Sequence, residues 1–233
     1  ILDGFLCAST FTRSEKNVPV KLNDDDEEET QLSFTSLDEY VERMPEGQED
    51  IYVLSGPTLD ALEHSPHLEA VKAKGYEVLL FVDPVDEMWL GRGLEFDGKK
   101  FVNVAESNLT LDDDDAEDEK VDEADEKWLT ALQASLDDHV SEVRLSKRLT
   151  ESAACLVGEE GEMTAQMAAL LKQMGREVPK VKRILEVNPN HAVATKLKTL
   201  DSDADQAAVD DAATLLYGAA ILAEGGMPPD PAK

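Results

Sequence analysis

The sequence predicts a small α/β layer domain, followed by a mixed α+β domain that ends in a long helix. The runs "IYVLSG" (51–56) and "YEVLLFV" (76–82) are apolar and of strand length, and the segment between them, 58–75, has a helical pattern. Apolar strands joined through helices are typical of a parallel pair. A strongly acidic stretch at 111–129 then interrupts the chain, and strand-like runs beyond it lead to a helical pattern over 203–224. These observations favour two structural units in one chain.

The elements of the first half follow from local signals. "SLDEYVERM" (36–44) predicts a helix with a capping box, in which Ser36 is the N-cap and Glu39 stands three residues later. Pro66 divides the helical pattern that follows the first strand into two short helices. "VDEMWLGRG" (85–93) predicts a short helix and "KKFVNVA" (99–105) a strand. Before them, we expect residues 1–9 to be the end of a helix and "NDDDEEET" (23–30) to be a solvated loop.

The second half predicts two strands, "SEVRLSKRL" (141–149) and "AACLVGE" (153–159), on either side of a turn at 150–152. "RILEVNP" (183–189) predicts a third strand and "NHAVATKLKTL" (190–200) a helix. We expect the last helix to be capped by Asp203 or Asp205 and to end at the glycine pair 225–226. Its apolar stripe consists of Val209, Ala213, Leu216, Ala220 and Ala223.

The charge of the chain excludes some partners. The formal net charge is −29, with 51 acidic residues against 22 lysines and arginines. Nucleic acids and anionic membrane surfaces bind basic patches, so we expect neither as a partner. The acidic excess extends over both halves of the chain, as in proteins adapted to high salt, where counterions screen the repulsion.

Cysteine usage and hydropathy predict a cytoplasmic location. Cys7 and Cys155 are far apart and belong to no CxxC motif, so a reducing compartment fits best. No apolar run reaches the roughly 18 residues of a membrane span. The chain lacks an initiator methionine, and we expect it to be a fragment that begins inside a longer protein.

The sequence contains no convincing active site. It has neither a P-loop nor a dinucleotide fingerprint. His64 and His67 form an HxxH pair without further ligands, and "DSDADQ" (201–206) lacks the glycine and glutamate of a calcium loop. We therefore predict no catalytic, cofactor or metal residues and no enzyme activity for this chain, which leaves binding as its function.

Half of the six methionines lie in "GEMTAQMAALLKQMG" (161–175). Met163, Met167, Leu170 and Met174 would form one stripe on a helix, with Leu171 beside them. A methionine stripe fills irregular gaps in a core or adapts to partners of many shapes. The residues alone leave both interpretations open.

Several blocks of the chain resemble the heat-shock protein 90 chaperones of the bacterial HtpG type. In the first half they are "SLDEYVERMPEGQEDIYVLSG", "SPHLEAVKAKGYEVLLFVDPVDE" and "LEFDGKKFVNV". In the second half they are "VRLSKRLTESAACLV", "EMTAQMAALL", "ILEVNPNH" and "LLYGAAILAEGG", in the family's order. The resemblance covers nearly everything from about residue 34 onward except the acidic stretch.

The resemblance implies a fragment of an ATP-driven, homodimeric chaperone of the cytoplasm. The nucleotide-binding domain would precede residue 1, so ATP and Mg²⁺ are expected only for the full-length protein. The implied partners are unfolded or partly folded clients, a second copy and co-chaperones. The implied organisation is a residual helix and acidic loop (1–33), the α/β end of the middle domain (34–110), an acidic linker or helix (111–126), and a dimerisation domain without its last helix (127–233).

The resemblance also implies two kinds of binding residue. Clients would contact Met163, Met167, Leu170 and Leu171, and a second patch at Glu87, Met88 and Trp89. The first of the two helices in the family's dimerisation bundle matches 203–224, so its stripe at Val209, Ala213, Leu216, Ala220 and Ala223 would form the dimer interface. Without the second helix this stripe would be exposed and the dimer weakened.

Two alternatives compete with a client-binding fragment. In the first, the chain is a purely structural module for dimerisation and domain coupling, and the methionines are packed in its core. In the second, it is an enzyme whose site is built from the residues dismissed above.

Overall fold

The computed structural model of the chain describes residues 10–12, 36–83, 86, 93, 95–106, 109, 111, 123–159, 162–164, 167–168, 171, 174–176, 181–199 and 205–228. The strands are β1 (Thr10–Thr12), β2 (Ile51–Ser55), β3 (Val78–Phe81), β4 (Glu95–Phe96), β5 (Lys99–Asn103), β6 (Val140–Leu145), β7 (Ala154–Val157) and β8 (Arg183–Val187). The helices with defined ends are α1 (Leu37–Arg43), α2 (Leu59–Glu63), α3 (Glu69–Ala73), α4 (Glu123–Ser135), α5 (Ala192–Leu197) and α6 (Gln206–Ala223). A 3-10 turn at Pro66–Leu68 separates α2 from α3.

The N-terminal unit, which comprises the described residues from 10 to 111, is built on a five-stranded sheet in the order β1-β3-β2-β5-β4. β2 is parallel to both β3 and β5, as expected for strands joined through helices, whereas β1 and β4 are antiparallel to their neighbours. Alternate residues of β2 enter two separate apolar clusters, with Tyr52 on one face and Val53 on the other. The predicted parallel pair of buried strands is therefore confirmed.

Local signals position the helices of this unit. The Ser36 hydroxyl accepts a hydrogen bond from the Glu39 N–H at 3.2 Å, and the Glu39 carboxylate accepts one from the Ser36 N–H at 3.0 Å. This is the predicted capping box. The Tyr40 hydroxyl donates to the carbonyl of Glu77 at 2.7 Å and so ties α1 to the sheet. The two short helices on either side of Pro66 are also confirmed.

The C-terminal unit, which comprises the described residues from 123 to 228, contains a three-stranded sheet in the order β6-β8-β7. All three predicted strands are present, but β6 and β7 do not pair, because β8 lies between them. The loop from β6 to β7 crosses the end of β8. At that crossing, the Ser146 N–H donates to the Val187 carbonyl at 2.8 Å, and the Asn188 N–H donates to the Ala153 carbonyl at 2.9 Å.

α4 and α6 cover one face of this sheet. α6 ends as predicted, because Gly225 has φ +74° and donates its N–H to the Leu222 carbonyl at 2.9 Å. Asp205 occupies the N-cap position, but its side chain makes no capping hydrogen bond. Asp203, the other predicted cap, lies outside the described residues.

The predicted fold class, mixed α/β and α+β, is confirmed. The domain boundaries stay a prediction. The expected helix over 1–9, the loop at 23–30 and most of the helix over 85–93 lie outside the described residues. Within the part of the chain that the structure describes, no helix is long and apolar enough to cross a membrane.

Candidate functional site

The Met-rich segment begins its helix later than its periodicity predicts. The Thr164 hydroxyl accepts a hydrogen bond from the Met167 N–H at 3.1 Å, and the Thr164 carbonyl accepts one from the Ala168 N–H at 2.9 Å. Thr164 is therefore the N-cap, and Met163 lies just before the helix. The prediction that Met163 belongs to the helical stripe is wrong, because threonine competes for the free N–H groups of a first turn.

The described methionines of this segment differ in exposure. Met163 is 36% exposed and Met174, in the turn after the helix, is 62% exposed. Met167 and Leu171 are half-buried, and Leu170 lies outside the described residues. Met163 and Met174 are thus each open to solvent, one before the helix and one after it. Client contact by these residues stays a prediction.

The second predicted client patch, Glu87, Met88 and Trp89, lies outside the described residues. Its neighbour Asp86 is buried, and its N–H donates to the Asp83 carbonyl at 2.9 Å.

The predicted dimer stripe on α6 is turned inward. Val209, Ala213, Leu216 and Ala220 are each no more than 2% exposed. They belong to the core of the C-terminal unit, together with residues of α4, β7 and β8. This chain itself covers these four residues, and their assignment to the dimer interface stays a prediction. The expectation that the stripe becomes exposed in this chain is wrong, because these residues are buried. Ala223, the fifth residue, is half-buried.

A second apolar stripe of α6 faces solvent. Leu215 and Leu222 are 67% and 61% exposed. Ala208 and Ala219 are exposed on the same face, and Ala212 is half-buried. These five residues, the outer stripe, follow one another at alternating spacings of four and three, which is the repeat of helix-pairing seams. The same spacing is visible in the sequence, but nothing there shows which stripe faces inward.

Glu69 of α3 joins the two units through the turn at 150–152. Its carboxylate accepts hydrogen bonds from the N–H groups of Thr150, Glu151 and Ser152 at 2.6, 2.9 and 3.0 Å. The Thr150 hydroxyl adds a fourth at 3.3 Å. Partial burial by itself raises the pKa of Glu69, but these hydrogen bonds lower it below its ordinary value overall.

Arg148 makes the second connection. Its guanidinium donates to the carbonyls of Val104 and Glu106 at 2.8 and 2.9 Å, and its Nε lies 3.0 Å from a carboxylate oxygen of Glu186. Glu186 is 3% exposed and is also 2.6 Å from Arg144. A buried charge network in the C-terminal unit thus ends on main-chain carbonyls of the N-terminal unit.

The third connection is at the end of α6. The Glu224 carboxylate accepts two hydrogen bonds from Arg183 at 2.6 and 2.7 Å, and one of its oxygens lies 3.7 Å from Nε2 of His67. Burial raises the pKa of Glu224, but the His67 ring and the Arg183 guanidinium lower it overall. His67 belongs to the HxxH pair for which the sequence predicts no functional role. Its partner His64 is exposed.

A cleft that encloses about 90 Å³ opens between the two units beside these connections. Met163 and Ala223 line it, together with residues of β2, α2 and the segment 158–164. Among the described residues, no group of three or more His, Cys, Asp or Glu side chains has the arrangement of a metal site.

Comparison with known proteins gives the family. The family model described as Hsp90 protein matches residues 22–233, so this chain belongs to the Hsp90 family. It is 49% identical over 208 residues to a protein of Frankia casuarinae named chaperone protein HtpG, and this covers 85% of the chain and 32% of that protein. Proteins of the same name from Mycobacterium tuberculosis (strain H37Rv) and Mycobacterium avium are 51% and 47% identical over 206 and 204 residues, with the same coverage. The chain thus spans about a third of the length of these curated relatives.

Proposed function

We propose that this chain is part of a molecular chaperone that holds partly unfolded client proteins on the apolar surface around its Met-rich segment. The observation that carries the proposal is the exposure of Met163 and Met174 on a chain that belongs to the Hsp90 family. Methionine side chains are flexible and polarizable, so one surface can accept many apolar partners. The proposal extends to Met167, Leu170 and Leu171 and to the patch at Glu87, Met88 and Trp89.

The whole protein would use ATP and Mg²⁺ bound outside this chain to open and close around clients, and would work with co-chaperones in the cytoplasm. This chain itself would hydrolyse no ATP.

Binding of a labelled, partly unfolded client to Met163→Ser/Met167→Ser tests the client site. We expect the affinity to fall about 30-fold, because each buried methionine contact contributes on the order of 1 kcal/mol and the variant removes two. Met227→Ser is the matched control, since Met227 is 82% exposed and lies after α6, outside the Met-rich segment. If the double variant binds as the wild type does, the site is wrong. If its melting temperature collapses, the methionines are structural and the coupling-module interpretation is correct.

We further propose that two copies associate through the outer stripe of α6. Leu215 and Leu222 supply the apolar contact, and the small Ala208, Ala212 and Ala219 allow close approach of a second helix. The dimer of this chain alone would be weak, since one helix face from each copy buries little area.

Sedimentation equilibrium of Leu215→Glu tests this contact against Thr214→Glu, which adds the same charge at an exposed neighbour outside the outer stripe. We expect only the leucine variant to be monomeric at concentrations where the wild type associates. Equal association of the two variants would show that copies meet elsewhere.

A further inference from the structure

The cleft between the two units encloses about 90 Å³, which is room for several water molecules. It lies at an interface between structural units, where small-molecule sites often occur. One wall carries Leu54, Leu62 and Ala105 from the N-terminal unit, and Met163 adds an apolar contact from the C-terminal unit. These side chains suit the aliphatic part of a ligand.

Two buried polar groups line this cleft without a hydrogen-bond partner among the described residues. Neither ring nitrogen of the buried His67 side chain makes a hydrogen bond to a described residue, although Nε2 lies 3.7 Å from a carboxylate oxygen of Glu224. Oε1 of Glu162 is the second group. An unpaired buried group costs about 1–3 kcal/mol, and most such groups in native proteins are paired. A carboxylate oxygen only accepts, and a neutral imidazole has one accepting nitrogen, so a ligand would have to supply donors.

The charge of the residues that line the cleft indicates which kind of hydrogen-bond donor a ligand would carry. Arg183 is already paired with Glu224 through two short hydrogen bonds. Glu159 and Glu162 add two further carboxylates, and the Glu159 N–H donates to the other oxygen of Glu162 at 2.7 Å. The lining is therefore negative overall, which favours a cation and disfavours a phosphate or carboxylate ligand.

We propose that this cleft binds a small aliphatic amine, a diamine or polyamine, whose ammonium group donates to Glu162 and whose carbon chain lies on the apolar wall. A bound amine would contact both units and so stabilise their relative position. The proposal does not depend on client binding, because its polar groups, Glu162 and His67, belong to neither proposed contact surface. Only Met163 is shared with the proposed client surface.

Isothermal titration with 1,5-diaminopentane tests the proposal directly. We expect saturable one-to-one binding that 1,5-pentanediol, of similar shape but without charge, does not reproduce. Because the protein carries a net charge of −29, the experiment has to distinguish nonspecific binding of cations to the surface from binding in the cleft. Glu162→Gln removes the accepting charge inside the cleft. Glu142→Gln makes the same change at an exposed position of β6.

Glu162→Gln should weaken binding about tenfold, the loss expected for one hydrogen bond to a charged group, while Glu142→Gln leaves it unchanged. Equal effects of the two variants, or binding of the diol as tight as that of the diamine, would overturn the proposal. Binding of a lysine-containing peptide without binding of the diamine would also overturn it, and would assign the cleft to clients. Amide chemical shifts give an independent readout, since the diamine should perturb Gly158 and Met163 in the wild type.

Discussion

Glu69→Gln should loosen the connection between α3 and the turn at 150–152. In the wild type one carboxylate oxygen accepts from Thr150 and Glu151, and the other accepts from the Ser152 N–H. The amide keeps one accepting oxygen but turns its NH₂ group toward a donor and removes the charge. The site is partly exposed, so solvent screens part of the effect, and we expect a loss of about 1 kcal/mol. Amide exchange of residues 150–152 should accelerate about fivefold if local opening governs it.

The pH dependence gives a second test of the same contact. The pKa of Glu69 is lower in the folded chain than its ordinary value of 4.5. The stability that it contributes is therefore complete above that ordinary value and is lost as the pH falls through the lowered folded value. The wild type and Glu69→Gln should accordingly differ most near neutral pH and converge in acid, as measured by urea unfolding.

Glu42→Gln is the matched control, because Glu42 is an exposed helical residue and undergoes the same loss of charge. Its amide exchange at 150–152 should equal that of the wild type. Unchanged exchange in Glu69→Gln would refute the reasoning, since it would mean that the four hydrogen bonds to Glu69 do not hold the turn.

Two further substitutions test the packing between the units. Gly225→Ala should destabilise the chain by about 1 kcal/mol more than Gly75→Ala. Both glycines have a φ between +70° and +75°, but only at Gly225 would the new Cβ meet a ring carbon of Pro57, at 2.8 Å; equal melting temperatures would contradict this contact. Arg148→Met should cost about 3–5 kcal/mol in urea unfolding, because it leaves Glu186 buried with one cation fewer and two carbonyls without donors. An unchanged free energy of unfolding would show that the buried charges contribute little to stability.

Signals that act within a few residues predicted the structure well. The capping box at Ser36 and Glu39, the break at Pro66 and the end of α6 at Gly225 each follow from groups that bond to their near neighbours. The parallel pairing of β2 and β3 was also predictable, because their continuous apolar runs require cover on both faces.

The orientation of α6 could not be predicted from its own sequence. The helix has one apolar stripe through Val209 and Leu216 and another through Leu215 and Leu222. Both repeat at helical spacing, so periodicity predicts a helix and leaves its rotation undetermined. Packing against α4 and β7 selects the first stripe.

The hydrogen bonds and ion pairs that connect the two units were even harder to predict from the sequence. Glu69 is 81 to 83 residues from the three residues that it binds, and Arg148 is more than 40 residues from Val104 and Glu106. No local pattern marks such partners. The late start of the Met-rich helix, in contrast, could have been predicted from the sequence. Threonine is favoured at the N-cap position, and Thr164 is the observed N-cap.

β7 occupies an edge of the C-terminal sheet, and all four of its residues are buried. An apolar edge strand can template the addition of foreign strands, which leads to aggregation. Here the Gly158 N–H, next to the end of β7, donates to the Ala105 carbonyl, and the 3-10 turn at Pro66–Leu68 packs against β7. The N-terminal unit therefore covers part of β7 and hinders the addition of foreign strands at this edge of the C-terminal sheet. Because the N-terminal unit precedes β7 in the chain, it leaves the ribosome first and can cover β7 as soon as that strand is synthesised.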